Sequence, residues 1–200
     1  MQTLNDLPPA TRKRLVQLEE LLKSWSGEKI TSAKICELTG WKDSLVRHDL
    51  WLIGNEVRGW KNGYNTADLL ATVQSINKSE TQNVCIVGLG RLGAALLDDT
   101  LVEGSRFVIK AGFDSNVNRV EILRSSFPLY PAAEMNWVIK QEKITLAILA
   151  VADKDAQTMC DRLLKAGITG IVNMTRAVLK VPEGIKIENL SVLNALKMIT

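Results

Sequence analysis

Residues 83–99 read NVCIVGLGRLGAALLDD, and the fold turns on this stretch. Val84, Cys85, Ile86 and Val87 form the short apolar run of a parallel strand that is covered on both faces. Gly88, Gly90 and Gly93 follow on the G-x-G-x-x-G spacing, with Leu89, Arg91 and Leu92 between them and a helix expected to run on to Asp99. At such a turn Gly88 allows the tight bend and Gly90 lets backbone approach a pyrophosphate. Gly93 lets the helix pack close to its strand, with the helix N-terminus toward the phosphates. A second apolar run, 107–113, ends in Asp114, at the distance where an acidic side chain takes a ribose hydroxyl. A carboxylate there favours NAD(H) over NADP(H), because it accepts from a 2′-hydroxyl and repels a 2′-phosphate; Arg119, five residues on, is the one basic group positioned to oppose it.

Beyond Asp114 strands and helices alternate: a helix over 132–140, a strand over 145–151, a helix over 155–166 stopped by Gly167, a strand over 170–173 and a last one over 185–187. That alternation predicts a doubly wound parallel sheet. Ser191 is positioned to cap a terminal helix bearing Val192, Leu193, Leu196 and Ile199, whose apolar content implies docking.

Upstream the pattern is different. Pro8 and Pro9 open a helix that Ser26 and Gly27 close, with Leu15, Leu18, Leu22 and Trp25 at helical spacing and Arg12, Lys13 and Arg14 near its start. Thr31 caps a short helix over 32–39, Gly40 and Trp41 turn the chain, and Asp43 caps a second helix to Ile53, which is the size of a helix-turn-helix. With Ile35, Cys36, Leu45, Val46 and Leu50 inward, Lys42, Ser44, Arg47 and His48 lie on the exposed side, where such a helix meets base edges and phosphates. Residues 54–64, GNEVRGWKNGY, read as a hairpin wing with Arg58 and Lys61 near its tip. A short helix from Thr66 follows, and the polar stretch 77–82 separates the two modules. The expected organisation is therefore a winged-helix domain over 1–78, a Rossmann domain over 79–188 and a terminal helix over 189–200. Losing Arg47 should relax sequence preference, whereas losing Lys61 should weaken all duplexes alike.

Two hundred residues with 46% hydrophobic content suit two small domains with adequate cores. No apolar run approaches the ~18 residues of a membrane span and no secretory core opens the chain, so a cytoplasmic location is expected. Cys36, Cys85 and Cys160 are widely spaced within apolar patterns and read as core thiols, with no metal site. A formal charge of +3 is too small to identify a nucleic-acid partner by itself. His48, the single histidine, has no acid, nucleophile or metal partner in sequence and reads as a surface or DNA-facing residue.

Pro9, Ala10, Thr11, Arg14 and Leu15, the segment Val46-Arg47-His48-Asp49, Gly63-Tyr64, the glycine motif with Leu92, Phe113-Asp114, residues 170–173 and Val181-Pro182-Glu183 together resemble the Rex family of redox-sensing repressors, in order along nearly the whole chain. The resemblance implies a homodimer that binds a palindromic duplex operator through two winged helices. It also implies NAD(H) in the Rossmann domains beside Val151 and Asn173, and a terminal helix exchanged between protomers. NADH would release the DNA, with no turnover. It further implies that Arg14 couples the domains through the positions of Asp99 and Ser191. Here Asp99 replaces a tyrosine and Ser191 an acid, Val151-Ala152 replaces a Val-Pro, and Asn173-Met174-Thr175-Arg176 replaces an Asn-Phe-x-Pro. A charge-assisted bond from Arg14 to Asp99 is then expected where the dimer brings the two together, with a weaker NADH response than is usual in the family. The alternatives are a paralogue with a lost or altered response, and a small NAD-dependent oxidoreductase or CoA-binding module. The enzyme is disfavoured because the sheet uses nearly all of 83–187, leaving no substrate domain and no catalytic constellation.

Overall fold

The computed structural model describes residues 7–54, 63–77 and 81–199. The chain divides into two compact units, Met1–Ser79 and Glu80–Thr200.

In the first unit, helix α1 spans Pro9–Ser24, α2 Ser32–Thr39, α3 Asp43–Ile53 and α4 Thr66–Asn77, while the two-residue strands β1 (Lys29–Ile30) and β2 (Tyr64–Asn65) pair antiparallel. Proline at the first position of α1 forfeits only an N-H that had no intrahelical partner. The Thr31 hydroxyl accepts from the Lys34 N-H, capping α2, and Gly40 ends it in the left-handed conformation at φ 72°. Asp43, expected as the cap of α3, is instead its first residue. Lys42 holds the cap position without a side-chain bond, and the Asp43 carboxylate pairs with Arg47 one turn on. Leu15, Leu18, Leu22, Ile35, Val46, Leu50, Leu69 and Val73 form the core, but Leu45 is 38% exposed, because the inward stripe of α3 runs through Val46, Asp49, Leu50 and Ile53. The greater part of the expected wing, including Arg58 and Lys61, lies outside the described residues.

That stripe carries a buried acid. Asp49 is 3% exposed, and its carboxylate accepts from the buried Thr11 hydroxyl at 3.0 Å and from Arg14 Nη2 at 2.9 Å, with Arg14 Nε on its second oxygen. The hydrogen bond from Arg14 to Asp49 drives the guanidinium's already high pKa further up. Within the protomer Arg14 ties α1 to α3 through the Asp49 carboxylate. Asp99 opens a separate 3-10 turn, Asp99–Val102, and its side chain lies outside the described set.

The second unit is a six-stranded sheet of order β5-β4-β3-β6-β7-β8, with every pairing parallel. Its strands are β3 (Gln82–Val87), β4 (Phe107–Asp114), β5 (Leu129–Pro131), β6 (Leu146–Leu149), β7 (Gly170–Asn173) and β8 (Lys186–Asn189). Helices α5 (Arg91–Ala94), α6 (Val117–Ile122), α7 (Met135–Gln141), α8 (Ala156–Ala166) and α9 (Val192–Met198) complete it. Alternate residues of β3 serve opposite faces. Cys85 and Val87 join Phe113, Leu149, Val138 and Leu163, while Ile86 joins Leu89, Leu97, Ile109 and Phe127. Cys85 and Cys160 are fully buried with thiol pKa values pushed up by desolvation, whereas Cys36 is half-buried.

Two features depart from expectation. The glycine-motif helix lasts one turn rather than reaching Asp99, because the Asp98 carboxylate accepts from the Thr100 N-H and starts the next turn. Strand β5 and helix α6 are additional; β5 sits at the sheet edge, where Pro131 costs no ladder bond. Helix α9, capped by Ser191 accepting from the Asn194 N-H, is exposed along its whole length within the protomer.

Replacing Asp49 by Ala leaves the Arg14 guanidinium without its partner and should cost about 3 kcal/mol, the low end for a broken buried pair, because the Arg14 side chain is 17% exposed. Chemical denaturation monitored by far-UV circular dichroism measures it. A loss under about 1 kcal/mol would show that the pair does not organise this unit.

Candidate functional site

In the order β5-β4-β3-β6-β7-β8 the strand order reverses between β3 and β6, and ligands of doubly wound sheets bind outside the carboxyl ends of the strands at such a switch point. The turn after β3 lies there. Gly88 has φ +94°, and a Cβ on it would stand 2.7 Å from the Ala150 carbonyl group and 2.8 Å from the Val151 side chain, at the end of β6. A Cβ on Gly93 would overlap the Gly88 carbonyl oxygen. A Cβ on Gly90 would meet nothing within 4 Å. Two of the three glycines are thus required by crowding inside the protein, and the third faces open space at the start of α5. The N-H groups of the first helical residues, Arg91 among them, have no intrahelical acceptor, because the ladder begins with Ala94 donating to Gly90. Arg91 and Leu92 are exposed at this edge. The Leu89 side chain is buried in the core, so its contribution is its backbone N-H.

That N-H donates to Asp114 Oδ2 at 2.7 Å, fixing the end of β4 against the glycine turn. Asp114 Oδ1 accepts from the Asn116 N-H at 2.7 Å, and Arg119 Nη1 reaches Oδ2 at 3.3 Å. A carboxylate offers about four acceptor sites, so one remains on Oδ1 for a hydroxyl. Arg119, half exposed, is the weakest-held of the three donors. The cleared space at Gly90, together with a buried carboxylate of spare capacity on the neighbouring strand, fits a dinucleotide with its pyrophosphate on the turn and a ribose at Asp114.

The other end of the crevice is built by loops after β6 and β7. Val151 is half-buried beside Gly88. Asn173, expected beside the nicotinamide, is fully buried, and its side chain is fully committed. Nδ2 donates to the Ala177 carbonyl and to Asn189 Oδ1, both at 2.9 Å, and Oδ1 accepts from the N-H and hydroxyl of Thr175. All four of its hydrogen-bonding positions are filled, so it shapes the loop rather than contacting a ligand through its amide. Sequence reasoning missed Asp153. Its Oδ1 accepts from the Arg176 N-H and its Oδ2 from the Arg176 guanidinium at 2.7–2.8 Å, fastening the two loops together. The Arg176 backbone N-H first, then its side chain, holds the Asp153 carboxyl below the usual range. With a folded pKa that is depressed, this tie is complete at neutral pH and is lost only as pH falls through that lowered value.

On the first unit, Lys42, Ser44, Arg47 and His48 are all exposed, and Arg47 Nε rests on Asp43 Oδ2 at 2.8 Å. Both partners are about half exposed, so the pair is worth ~0–1 kcal/mol and yields readily to a phosphate or a guanine edge. Ser191 caps α9, and Arg14 is held by Asp49.

Gly90→Ala should leave the thermal midpoint unchanged, because its Cβ meets nothing, yet weaken NADH binding at least tenfold by occupying the space a pyrophosphate needs. Gly93→Ala should lower both, since backbone cannot yield to its Cβ. Differential scanning fluorimetry and calorimetric titration separate the two effects; undiminished NADH affinity in Gly90→Ala would move the ligand elsewhere.

Residues 79–177 match the CoA binding domain family. The redox-sensing transcriptional repressor Rex of Exiguobacterium sp. is 33% identical over 92% of this chain and 86% of its own length. Two crystal structures of RSP are similar throughout. One is in complex with NAD⁺ and operator DNA (TM-score 0.87, 27% identity, 96% of this chain and 90% of that one), and one in complex with NADH (TM-score 0.85, 28% identity, 96% and 92%). With the winged-helix and Rossmann units both covered by that likeness, the chain belongs to the Rex family of redox-sensing transcriptional repressors.

Proposed function

We propose that this protein represses transcription as a homodimer on a palindromic operator, and that binding of NAD(H) at the glycine turn sets its hold on DNA according to the NADH/NAD⁺ balance. The observation that carries the reading is the joint presence, in one chain, of an exposed basic face on α3 and the Asp114–Gly90 crevice, over the length in which RSP was solved with operator DNA and with NADH. The dinucleotide is a signal rather than a reactant. Asp114 selects NAD(H), accepting a ribose hydroxyl through its spare oxygen site, and Arg91 with the N-H groups of α5 meets the pyrophosphate. On the first unit Arg47, His48, Ser44 and Lys42 approach base edges and phosphates, and the basic side chains of Arg58 and Lys61 add to the binding of the duplex. The apolar residues that α9 exposes, Val192 at 79%, Met198 at 85% and Ile199 at 81%, support a dimer in which the terminal helix finds its cover on the second copy. A cytoplasmic location belongs to the same reading.

One observation favours a second reading, a paralogue that holds its operator whatever the dinucleotide: Arg14, the residue expected to transmit the signal, is already engaged by a buried carboxylate.

A gel shift decides between them, using a duplex selected from a random pool by the full-length protein. NADH should weaken binding at least fivefold while NAD⁺ does not, within the range of ordinary allosteric coupling. Equal affinity with both nucleotides would establish the second reading.

A further inference from the structure

The exposed face of α3 does not end at His48. Ser44, Arg47, His48 and Trp51 fall at i, i+3, i+4 and i+7, on the side opposite the buried stripe of Val46, Asp49, Leu50 and Ile53. Trp51 is 59% exposed, the least covered aromatic on this helix, and its ring lies 6.1 Å from the His48 ring at an interplanar angle of 22°. A large apolar ring left in water on a face otherwise polar or charged marks a contact surface rather than a core residue. The stack fixes the direction in which the indole projects and leaves its outer edge free.

The occupant follows from the rest of the face. It carries Lys42, Arg47 and His48, and RSP, similar over both units, was solved on operator DNA. From Ser44 to Trp51 the helix advances about 10 Å, within the ~12 Å width of the major groove, so one groove accommodates all four side chains. Of the groups displayed there, the C5-methyl of thymine is the one an apolar ring recognises and the others on this face do not.

We infer that Trp51 is a base-reading residue, its indole, aligned by the stack on His48, contacting the 5-methyl of a thymine in each operator half-site. This rests on the proposed reading of α3 as the helix that enters the groove, and adds to it a preference that the charged residues cannot supply. Arg47 selects by hydrogen bonds; Trp51 selects by a methyl group. The stack also keeps His48 beside the indole, so the two rings present one continuous surface to adjacent base pairs.

The test uses duplexes enriched from a random pool by the full-length wild-type protein without NADH, followed by replacement of each thymine with deoxyuridine, which deletes only the methyl. Fluorescence anisotropy should find one symmetric pair of thymines whose replacement weakens wild-type binding about fourfold per half-site and about fifteenfold for both, the loss expected for one buried methyl group at each. Trp51→Ala should bind the parent duplex more weakly and respond to that replacement not at all. Trp51→Phe, which keeps an apolar ring, should retain part of the response. Identical deoxyuridine profiles for wild type and Trp51→Ala overturn the inference, as does a loss in Trp51→Ala that is the same on every duplex, since that would place the ring on the sugar-phosphate backbone. A wild-type protein that enriches no sequence overturns the DNA-binding reading itself.

Discussion

The carbonyl oxygen of Gly88 sits where any side chain at residue 93 would have to begin. That contact, with the approach of Gly88 to the backbone of Ala150, locks the end of β3, the start of α5 and the end of β6 into one arrangement. It leaves no room for a second choice of turn, and it places Gly90 on the open side, where an added Cβ would meet nothing. Asp114 completes the arrangement by taking the Leu89 N-H, so the acidic residue that would read a ribose also holds the turn that would read a pyrophosphate. Binding and packing share the same few atoms. Because α5 is only one turn long, the anion-binding capacity of the site lies in its uncommitted N-H groups more than in a helix dipole, which needs several aligned turns to build up.

The first unit depends on a different device. An ion pair with one partner almost fully buried gains little over apolar packing, but it is unforgiving of misplacement, and among the described residues the Asp49 carboxylate accepts from Thr11 and Arg14, both on α1. It lies next in sequence to His48 and two residues from Arg47, so the tie to Thr11 and Arg14 sets the rotation of α3 about its axis and with it the direction of every side chain on the exposed face. The residue through which family resemblance would route a signal is thereby also the residue that orients the helix proposed to face DNA. A signal that displaced Arg14 from Asp49 would act directly on that orientation.

Much of this was legible in the sequence, for identifiable reasons. The glycine spacing, the apolar runs and Asp114 specify the sheet because each is demanded by short-range geometry, and Thr31 with Gly40 marks both ends of α2 through the two commonest cap chemistries. Strand β5 escapes because Pro128 and Pro131 read as a loop, and only the neighbouring β4 makes it a strand. The Arg14–Asp49 tie has a signal in the sequence: Asp49 stands on the buried stripe of Val46, Leu50 and Ile53, and an acid at such a position requires donors from elsewhere in the core. Asn173 sits at the expected place, yet its amide is saturated by Thr175, Ala177 and Asn189, a count that only coordinates provide. The Asp153–Arg176 tie spans 23 residues and has no local signature.

Two binding events meet in one protein, and linkage lets each be read from the other's side. If NADH loosens DNA, then DNA must loosen NADH by the same factor, whatever the structural route between them. NADH affinity, read from the fluorescence of the reduced nicotinamide, should therefore be at least fivefold weaker in the presence of saturating selected duplex than in its absence, with NAD⁺ affinity not lowered. An NADH affinity unchanged by the duplex would contradict it.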